Sequence, residues 1–404
     1  MNKKLGFYTI GTAKANGMIN ALCSTEFESK IQACIFANKI LKSMETKINP
    51  LSILHWNFND EVFEAYDWTK EPEKNLDELY DARAKEIREK YDYVIISYSG
   101  GSDCHNVLMS FLRQNLHVDE IVVTHMDKAM GSYGKIDVSN KLAKYAHTSE
   151  HHSHVIPRLK ELVNLSPRTK IRVFDVTDSV FEAFARHNSE DWVFHVREEL
   201  NPMDASRYNY LQFPEFKKQL DLSKKVAIIL GIDKPKIKIC ETTNKVFMYF
   251  TDRLVNVTPI GEYAKDYTNT TIEYFYWSPD ACDLICKQAH TVLNYLKANP
   301  NFQKYFLKNP LPSFSGRTAG ERIIRPLIYK TWDISWFQAD KPKYDWHTEA
   351  DFWFMENYKN TIEYGLWRKG ISHVIKNCSF YVENMNFPDS LLKIQKEYMI
   401  GNLK

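Results

Sequence analysis

The chain has 404 residues, of which 44% are hydrophobic and 26% are charged, so it has the apolar content of a globular protein and enough length for roughly two or three domains. Its 53 Lys and Arg residues nearly balance its 51 Asp and Glu residues, and the net charge of +2 excludes a global electrostatic field that would hold nucleic acid. The seven cysteines form no C-x-x-C pair, and the apolar runs near the start are too short for a signal peptide or a membrane span. These features predict a cytoplasmic protein with free thiols and no membrane partner.

Residues 1–89 form the first predicted unit, a small α+β lead-in. Short apolar runs, "LGFYTIG" and "LSILHWNF", alternate with "EFESKIQACIFANKILKSM", whose apolar positions recur at helical spacing. The segment "KNLDELYDARAKEIREK" has acidic residues early and basic residues late, which suits the helix dipole. We therefore expect a helix that leads into the next unit.

Residues 90–240 alternate buried-strand and helix patterns. Four apolar runs have the composition of strands in a parallel sheet: "YDYVIISY", "DEIVVTH", "KIRVFDV" and "KKVAIILGID". Helix-length sequence separates them, so the prediction is an α/β fold of Rossmann-like type, with a parallel sheet and helices on both faces. Ligands of such sheets bind at the carboxyl ends of the strands.

Residues 241–404 are predicted to form a mainly helical C-terminal domain with a β-hairpin at its start. The segment "PKIKICETTNKVFMYFTDR" has two short strand patterns around Thr243 and Asn244. The segment "SPDACDLICKQAHTVLNYLKAN" begins with a helix-capping signal.

The turn after the first of the four strands has the residues of a phosphate-binding loop. Ser99, Gly100, Gly101, Ser102 and Asp103 join the strand to a helix. Adjacent glycines let several backbone N–H groups converge on an anion, and the helix dipole adds to the attraction. The serines offer hydroxyl donors, and Asp103 offers a ligand for Mg²⁺. The alternative is a connecting turn in which Ser102 or Asp103 is the helix N-cap.

The segment "YSGGSDCHNVL" after "YVIIS" resembles the PP-loop of the N-type ATP pyrophosphatases, whose signature is S-G-G-x-D-S. The resemblance covers about residues 90–240 and implies a fold of the adenine nucleotide α-hydrolase (HUP) type. It also implies that the loop binds the pyrophosphate part of ATP through Ser99, Gly100, Gly101, Ser102, Asp103 and Cys104. Cys104 stands where the family has serine, and a thiol is the weaker hydrogen-bond donor. The segments "KYDYVIISYSGGSD", "LGIDKP" and "FYWSPD…KQAH" together resemble PP-loop proteins of large bacteriophages.

The resemblance implies further site residues at two other strand ends. His125, followed by Met126 and Asp127, ends the second strand, which passes the adenine and ribose in that family; the alternative is a histidine satisfied within the fold. The fourth strand ends in "LGIDKP", where Gly231 would line the nucleotide and Asp233 and Lys234 would contact Mg²⁺ and phosphate. The alternative there is a simple β-turn.

The implied reaction is attack by an acceptor oxygen on the α-phosphate of ATP, with Asp103 and Lys234 as the catalytic residues and ATP and Mg²⁺ as cofactors. A nucleobase in tRNA or DNA is the leading acceptor, and an amine, ammonia or sulfur species would then displace AMP. Two alternatives stay open. A phosphosulfate-reductase-like enzyme would need a reactive Cys378, and a nucleotide-binding module without turnover is suggested by Cys104.

Three other groups of residues could be functional sites, but the sequence favours a structural interpretation of each. Helical spacing of Cys282, Cys286 and His290 favours a buried stripe over a metal site. The tract "AHTSEHHSHVIP", with His147, His151, His152 and His154, favours a solvated helix end over a zinc site. The segment "SFSGRTAGERIIRPLIYK", with Arg317, Arg322 and Arg325, favours a basic surface loop over a phosphate clamp.

Overall fold

The structure is a computed structural model that describes the residues 6–11, 25–131, 151, 155–187, 189–195, 200–205, 209–218, 220, 224–252, 267–307, 314–332, 349–383 and 391–403. The strands are β1 (Phe7–Ile10), β2 (Leu54–Asn57), β3 (Tyr93–Ser97), β4 (Glu120–His125), β5 (Lys170–Asp175), β6 (Val226–Leu230), β7 (Lys236–Ile239), β8 (Lys245–Thr251), β9 (Thr270–Tyr274) and β10 (Ile394–Asn402). The helices are α1 (Lys30–Ser43), α2 (Asp60–Ala65), α3 (Leu76–Lys90), α4 (Ser102–Leu112), α5 (Asp127–Gly131), α6 (Ile156–Leu165), α7 (Ser179–His187), α8 (Pro214–Lys217), α9 (Cys282–Ala298), α10 (Phe314–Ile328), α11 (Glu349–Asn357), α12 (Ile362–Asn377) and α13 (Ser379–Glu383).

The centre of the fold is a five-stranded parallel sheet with the strand order β5-β4-β3-β6-β9, flanked by helices. The chain runs outward from β3 through β4 to β5, then returns to the other side of β3 and continues through β6 to β9. The strand order therefore reverses between β3 and β6. In sheets of this kind a ligand-binding crevice is expected at the carboxyl ends of the two strands where the order reverses.

The four strands predicted from apolar runs are present, which confirms the α/β prediction. All five residues of β6 are buried, and Val94, Ile95 and Ile96 in β3 have no exposed surface. Strands buried on both faces of a parallel sheet need this continuous apolar sequence.

The fifth strand, β9, lies after residue 240, in the part of the chain that the sequence analysis assigns to the C-terminal domain. Its sequence "TTIEY" includes Glu273, which is almost fully buried. Arg83 Nη2 lies 3.2 Å and Lys90 Nζ lies 2.8 Å from the Glu273 carboxylate, so α3 neutralises the charge. A buried carboxylate paired in this way is compatible with a core strand.

Two smaller sheets surround the central sheet. Strands β1 and β2 pair in the N-terminal region, as the α+β prediction requires. The predicted hairpin is confirmed, because β7 and β8 are antiparallel and Asn244 adopts a left-handed turn conformation with φ of 54°. The chain then returns from a helical C-terminal region to add β10 to the hairpin.

A buried ion pair joins the N-terminal region to the hairpin sheet. Lys30 Nζ in α1 lies 2.8 Å from Asp252 Oδ2 just after β8, and neither side chain has exposed surface. The Tyr8 hydroxyl donates to the same carboxylate over 2.9 Å. A charge that has been removed from water requires such partners.

Among the residues that the structure describes, none of the helices combines the length and apolar character needed to span a lipid bilayer.

Candidate functional site

The loop between β3 and α4 has a backbone that requires glycine at one position. Gly100 has φ of +72°, and a Cβ built there would lie 2.7 Å from Val155 Cγ2. The carbonyl oxygen of Gly100 accepts a hydrogen bond from Arg158 Nη1. The conformation is therefore fixed from outside the loop, by the residues at the start of α6.

Helix α4 begins without a side-chain cap. Its N-cap residue is Gly101, which has no side chain, and Ser102 and Asp103 lie in the first helical turn. The alternative in which Ser102 or Asp103 caps the helix is therefore wrong. The first N–H groups of an α-helix have no partner within the helix, so this end can accept an anion.

The end of β6 packs directly against the first turn of α4. A Cβ on Gly231 would lie 2.9 Å from the backbone nitrogen of Cys104 and 3.2 Å from the carbonyl carbon of Asp103. Any side chain larger than hydrogen would separate the strand end from the helix. The sequence predicts Gly231 at this edge of the sheet, and in the structure Gly231 packs against Asp103 and Cys104 at the start of α4.

Asp103 is the centre of a hydrogen-bonded cluster beside the loop. Its Oδ1 accepts a hydrogen bond of 2.6 Å from the Tyr329 hydroxyl, and Lys234 Nζ lies 3.3 Å from its Oδ2. Its backbone carbonyl accepts a bond of 2.9 Å from the Tyr276 hydroxyl. The cluster holds the helix end and the carboxylate in one position.

Lys234 lies between two carboxylates. Its Nζ is 3.1 Å from Asp233 Oδ1 as well as 3.3 Å from Asp103 Oδ2, and Lys236 Nζ is 2.9 Å from Asp233 Oδ2. The side chains of Lys234 and Asp233 are only 4% and 3% exposed, whereas that of Asp103 is 23% exposed. The structure thus brings together the two predicted catalytic residues, and it is Asp103 that is open to a ligand.

Tyr276 and Tyr329 are site residues that the sequence analysis missed. Both are buried, and burial together with the Asp103 charge and neighbouring tyrosines raises the pKa of each hydroxyl well above its usual range, so both act as neutral donors. Tyr276 follows β9, and Tyr329 follows α10. Both lie in segments quoted from the sequence, "FYWSPD" and "SFSGRTAGERIIRPLIYK", but nothing in those segments marks the tyrosines as partners of Asp103.

The thiol of Cys104 makes its contacts within the loop. Its Sγ lies 3.3 Å from both the backbone nitrogen and the Oγ of Ser99, and 3.2 Å from the carbonyl oxygen of Gly101. Burial raises the pKa of the thiol, so it is neutral and protected from reagents. The packing interpretation fits this environment, and a redox role does not.

The two serines differ in exposure. Ser99 is exposed and its Oγ accepts a hydrogen bond of 3.4 Å from the nitrogen of Gly101, whereas Ser102 is 8% exposed at the start of α4. Ser99 is therefore the more accessible of the two serines, although its hydroxyl oxygen is also engaged within the loop.

His125 lies at the end of β4, next to the loop-bearing strand, and contacts other residues. Its ring stacks on that of His151 with centroids 4.8 Å apart, and its Nδ1 lies 3.2 Å from Asp127 Oδ1. Its contact with a nucleotide stays a prediction.

The histidine-rich tract is described only at His151. This residue is buried, so the interpretation of a solvated helix end is wrong for it. His147, His152 and His154 lie outside the described residues.

The other clusters have clear structural explanations. Cys286 and His290 contact the carbonyl oxygen of Trp68, and burial raises the pKa of Cys282 and Cys286 to about 12, which confirms the core interpretation. Cys378 is also buried, and burial raises its pKa.

The arginine-rich segment forms the helix α10, so the prediction of a surface loop is wrong. Gly320 packs against Phe306 and the carbonyl oxygen of Tyr305, which explains a glycine inside this helix. Arg322 and Arg325 lie on α10, and the side chain of Arg317 lies outside the described residues.

Comparison of this chain with family models, with curated proteins and with solved structures gives no match.

Proposed function

We propose that the chain binds ATP through the loop Ser99–Asp103 and transfers the adenylyl group to an acceptor, releasing pyrophosphate. The observation that carries this proposal is the uncapped start of α4, which follows the carboxyl end of β3 beside the end of β6 and has Asp103 and Lys234 next to it. The strand order is that of doubly wound, Rossmann-like sheets, in which nucleotides bind at this position. The S-G-G-x-D sequence resembles the loop of the adenine nucleotide α-hydrolase fold.

The loop supplies donors that are fixed before the ligand arrives. Gly100 and Gly231 allow the backbone and the strand end to approach closely, so the N–H groups at the start of α4 can point at phosphate oxygens. Such fixed donors stabilise charge on a leaving group without reorganisation, which is the largest contribution in many transfer reactions.

The charged cluster has a role for each member. Lys234 Nζ is a cation held between Asp103 and Asp233, within hydrogen-bonding reach of the loop. When a polyphosphate binds, Lys234 donates to its oxygens and neutralises part of the charge that develops on pyrophosphate.

The same cluster fits a magnesium ion. Mg²⁺ prefers one or two carboxylates together with substrate phosphates, and Asp103 offers a partly exposed carboxylate where a cationic group already lies between two acids. Asp103 would hold the ion, and Asp233 would remain paired with the lysines. The ion would supply further charge neutralisation to the phosphates.

The proposed chemistry is an in-line displacement. An oxygen of the acceptor forms a bond to the α-phosphorus, the bond from that phosphorus to the bridging oxygen breaks, and pyrophosphate takes the electron pair. A second nucleophile, an amine, ammonia or a sulfur species, then displaces AMP. A nucleobase in RNA or DNA is the acceptor that the family resemblance favours.

The buried Cys378 argues against the phosphosulfate-reductase alternative, because that reaction needs an accessible thiolate. The nucleotide-binding module without turnover is the alternative that the test must separate, since Cys104 replaces the serine of the related loops.

The test measures pyrophosphate release and nucleotide binding with ATP, Mg²⁺ and candidate acceptors, RNA and DNA among them. We expect Asp103→Ala and Lys234→Met to lower pyrophosphate release by at least about 100-fold while the fold is retained. The matched control is Lys396→Met, because Lys396 Nζ pairs with Glu64 over 3.0 Å in an exposed position.

Two outcomes would decide against adenylyl transfer. Unchanged release in both site variants would refute the assignment of the loop. Tight ATP binding with no pyrophosphate from any acceptor would establish the binding module in its place.

A further inference from the structure

A second group of polar side chains lies at the carboxyl end of β4, outside the loop cluster. His125, Asp127 and His151 place one potential ligand atom each within 4.8 Å of one another. His151 is 26 positions after His125 in the sequence, so the group is made by folding and not by a local motif.

The contact between His125 and Asp127 is unusual for an ordinary histidine–carboxylate pair. His125 Nδ1 lies 3.2 Å from Asp127 Oδ1, yet within the described parts of the chain this buried nitrogen makes no hydrogen bond. A ring nitrogen and a carboxylate oxygen that lie this close without a hydrogen bond between them can both act as ligands of a shared cation.

The spacing also fits a metal ion. With bonds of about 2.0 Å, two ligand atoms of a tetrahedral zinc ion lie roughly 3.3 Å apart, close to the observed 3.2 Å. The third ligand atom, on His151, lies within 4.8 Å of the other two. Because the His125 and His151 rings stack with their centroids 4.8 Å apart, the His151 ring must turn out of the stack to bind the same ion.

The backbone of His125 is held by the central sheet. The carbonyl oxygen of His125 accepts a hydrogen bond of 2.9 Å from Val176, and His125 pairs with Asp175 at the end of β5. The side chain of His125 is 11% exposed and His151 is 7% exposed, whereas Asp127 is 47% exposed. One buried imidazole, one partly exposed imidazole and one exposed carboxylate give a partly solvated site.

The geometry points to a binding site for a divalent transition-metal ion, of which Zn²⁺ is the type, formed by His125, Asp127 and His151. Imidazole nitrogens select first-row transition metals, whereas Mg²⁺ and Ca²⁺ prefer oxygen ligands. Three protein ligands leave at least one coordination position open, as in catalytic rather than structural zinc sites. None of the three ligands belongs to the Asp103 cluster, and the inference does not depend on the proposed function.

The experiment titrates Zn²⁺ into the full chain, freed of metal by a chelator, in competition with a chromophoric chelator. Co²⁺ replaces Zn²⁺ in a second titration, because its visible absorption reports imidazole ligands and coordination number. The variants His125→Phe and His151→Phe keep a ring for the stacked pair and remove the ligand nitrogens. Asp127→Asn removes the carboxylate charge.

We expect one Zn²⁺ per chain and a loss of affinity of at least about 100-fold in each phenylalanine variant, because even the loss of an outer partner of a ligand costs about 10- to 100-fold. Asp127→Asn should lose about tenfold or more. The control is His55→Phe, since His55 Nε2 lies 3.0 Å from Asp60 Oδ2 in an exposed pair. Its affinity should be unchanged.

The unfolding midpoint of each chain is measured with and without Zn²⁺. An ion that binds the native state raises the midpoint of the wild-type chain, and the phenylalanine variants should lose that increase. If His151→Phe fails to fold, His125→Phe and Asp127→Asn decide the question. Zn²⁺ binding that survives in the folded variants, or a wild-type chain that binds none, would overturn the inference.

Discussion

Replacement of Gly231 by alanine tests the contact between β6 and α4 on which the site depends. The added Cβ would meet the backbone of Cys104 and Asp103, at 2.9 Å from the nitrogen of Cys104. Backbone atoms inside a helix cannot rotate away as the end of a side chain can. The strand end and the first turn of α4 must therefore move apart.

The size of the movement follows from the distances. An ordinary van der Waals contact for a Cβ begins at 3.4 Å, so the 2.9 Å contact requires a shift of roughly half an ångström. Overpacking of this kind costs about 1–3 kcal/mol of the free energy of unfolding. The same shift misplaces the N–H groups that would bind phosphate, and we expect ATP affinity to fall by about tenfold or more.

The assay combines urea denaturation without nucleotide and calorimetric titration with ATP. The matched control is Gly365→Ala in α12, because a Cβ there meets nothing within 4 Å. That variant should gain up to about 1 kcal/mol in stability from the better helix propensity of alanine. Equal stability of Gly231→Ala and the wild-type chain would refute the close packing, and lost stability with full ATP affinity would refute the placement of the phosphates.

Two further predictions concern the buried groups of α4. Cys104→Ser should keep the stability within about 1 kcal/mol and keep pyrophosphate release, because the hydroxyl can use the partners that Sγ has on Ser99 and Gly101. Denaturation and the release assay check this, and loss of both would show that the thiol is required. Burial, and to a smaller extent the charge of Arg158, lower the pKa of His105 to about 3. The unfolded chain, with a histidine pKa of 6.5, binds a proton in this range and the folded chain does not, so stability should fall as the pH drops from 6.5 towards 3, by about 5 kcal/mol in total for this group. His105→Gln should make the curve of unfolding free energy against pH flatter over this range, and an unchanged slope would contradict a neutral His105.

The central sheet was largely predictable because its strands are buried on both faces. A run such as "VAIIL" in β6 is typical of a buried parallel strand, and the helix-length sequence between such runs supports the assignment. The fifth strand was not predictable in this way, since Glu273 interrupts its apolar pattern. Its partner Arg83 lies 190 positions earlier. The residues around Glu273 carry no pattern from which an ion pair over that separation could be predicted.

The candidate site was predictable for those residues that come shortly after a predicted strand. Asp103 and Lys234 come soon after two buried strands, and parallel strands end at one edge of a sheet. Tyr329 was not predictable, because its hydroxyl meets Asp103 across 226 positions and tyrosine is common throughout the chain. The histidine group was missed for the same reason, since His125 and His151 become neighbours only in the folded chain.

The position of β9 after residue 240 determines which truncated fragments of this protein keep the central sheet whole. A fragment that ended at residue 240 would leave β6 at the rim of the sheet, with a row of unpaired backbone groups on a strand whose five residues are all apolar. Such a rim is a template for pairing between molecules and promotes aggregation. On the other side, the sheet ends in β5, whose lysine, arginine and aspartate residues disfavour this pairing. The candidate site and its sheet are therefore best studied in a chain that extends at least through Tyr329.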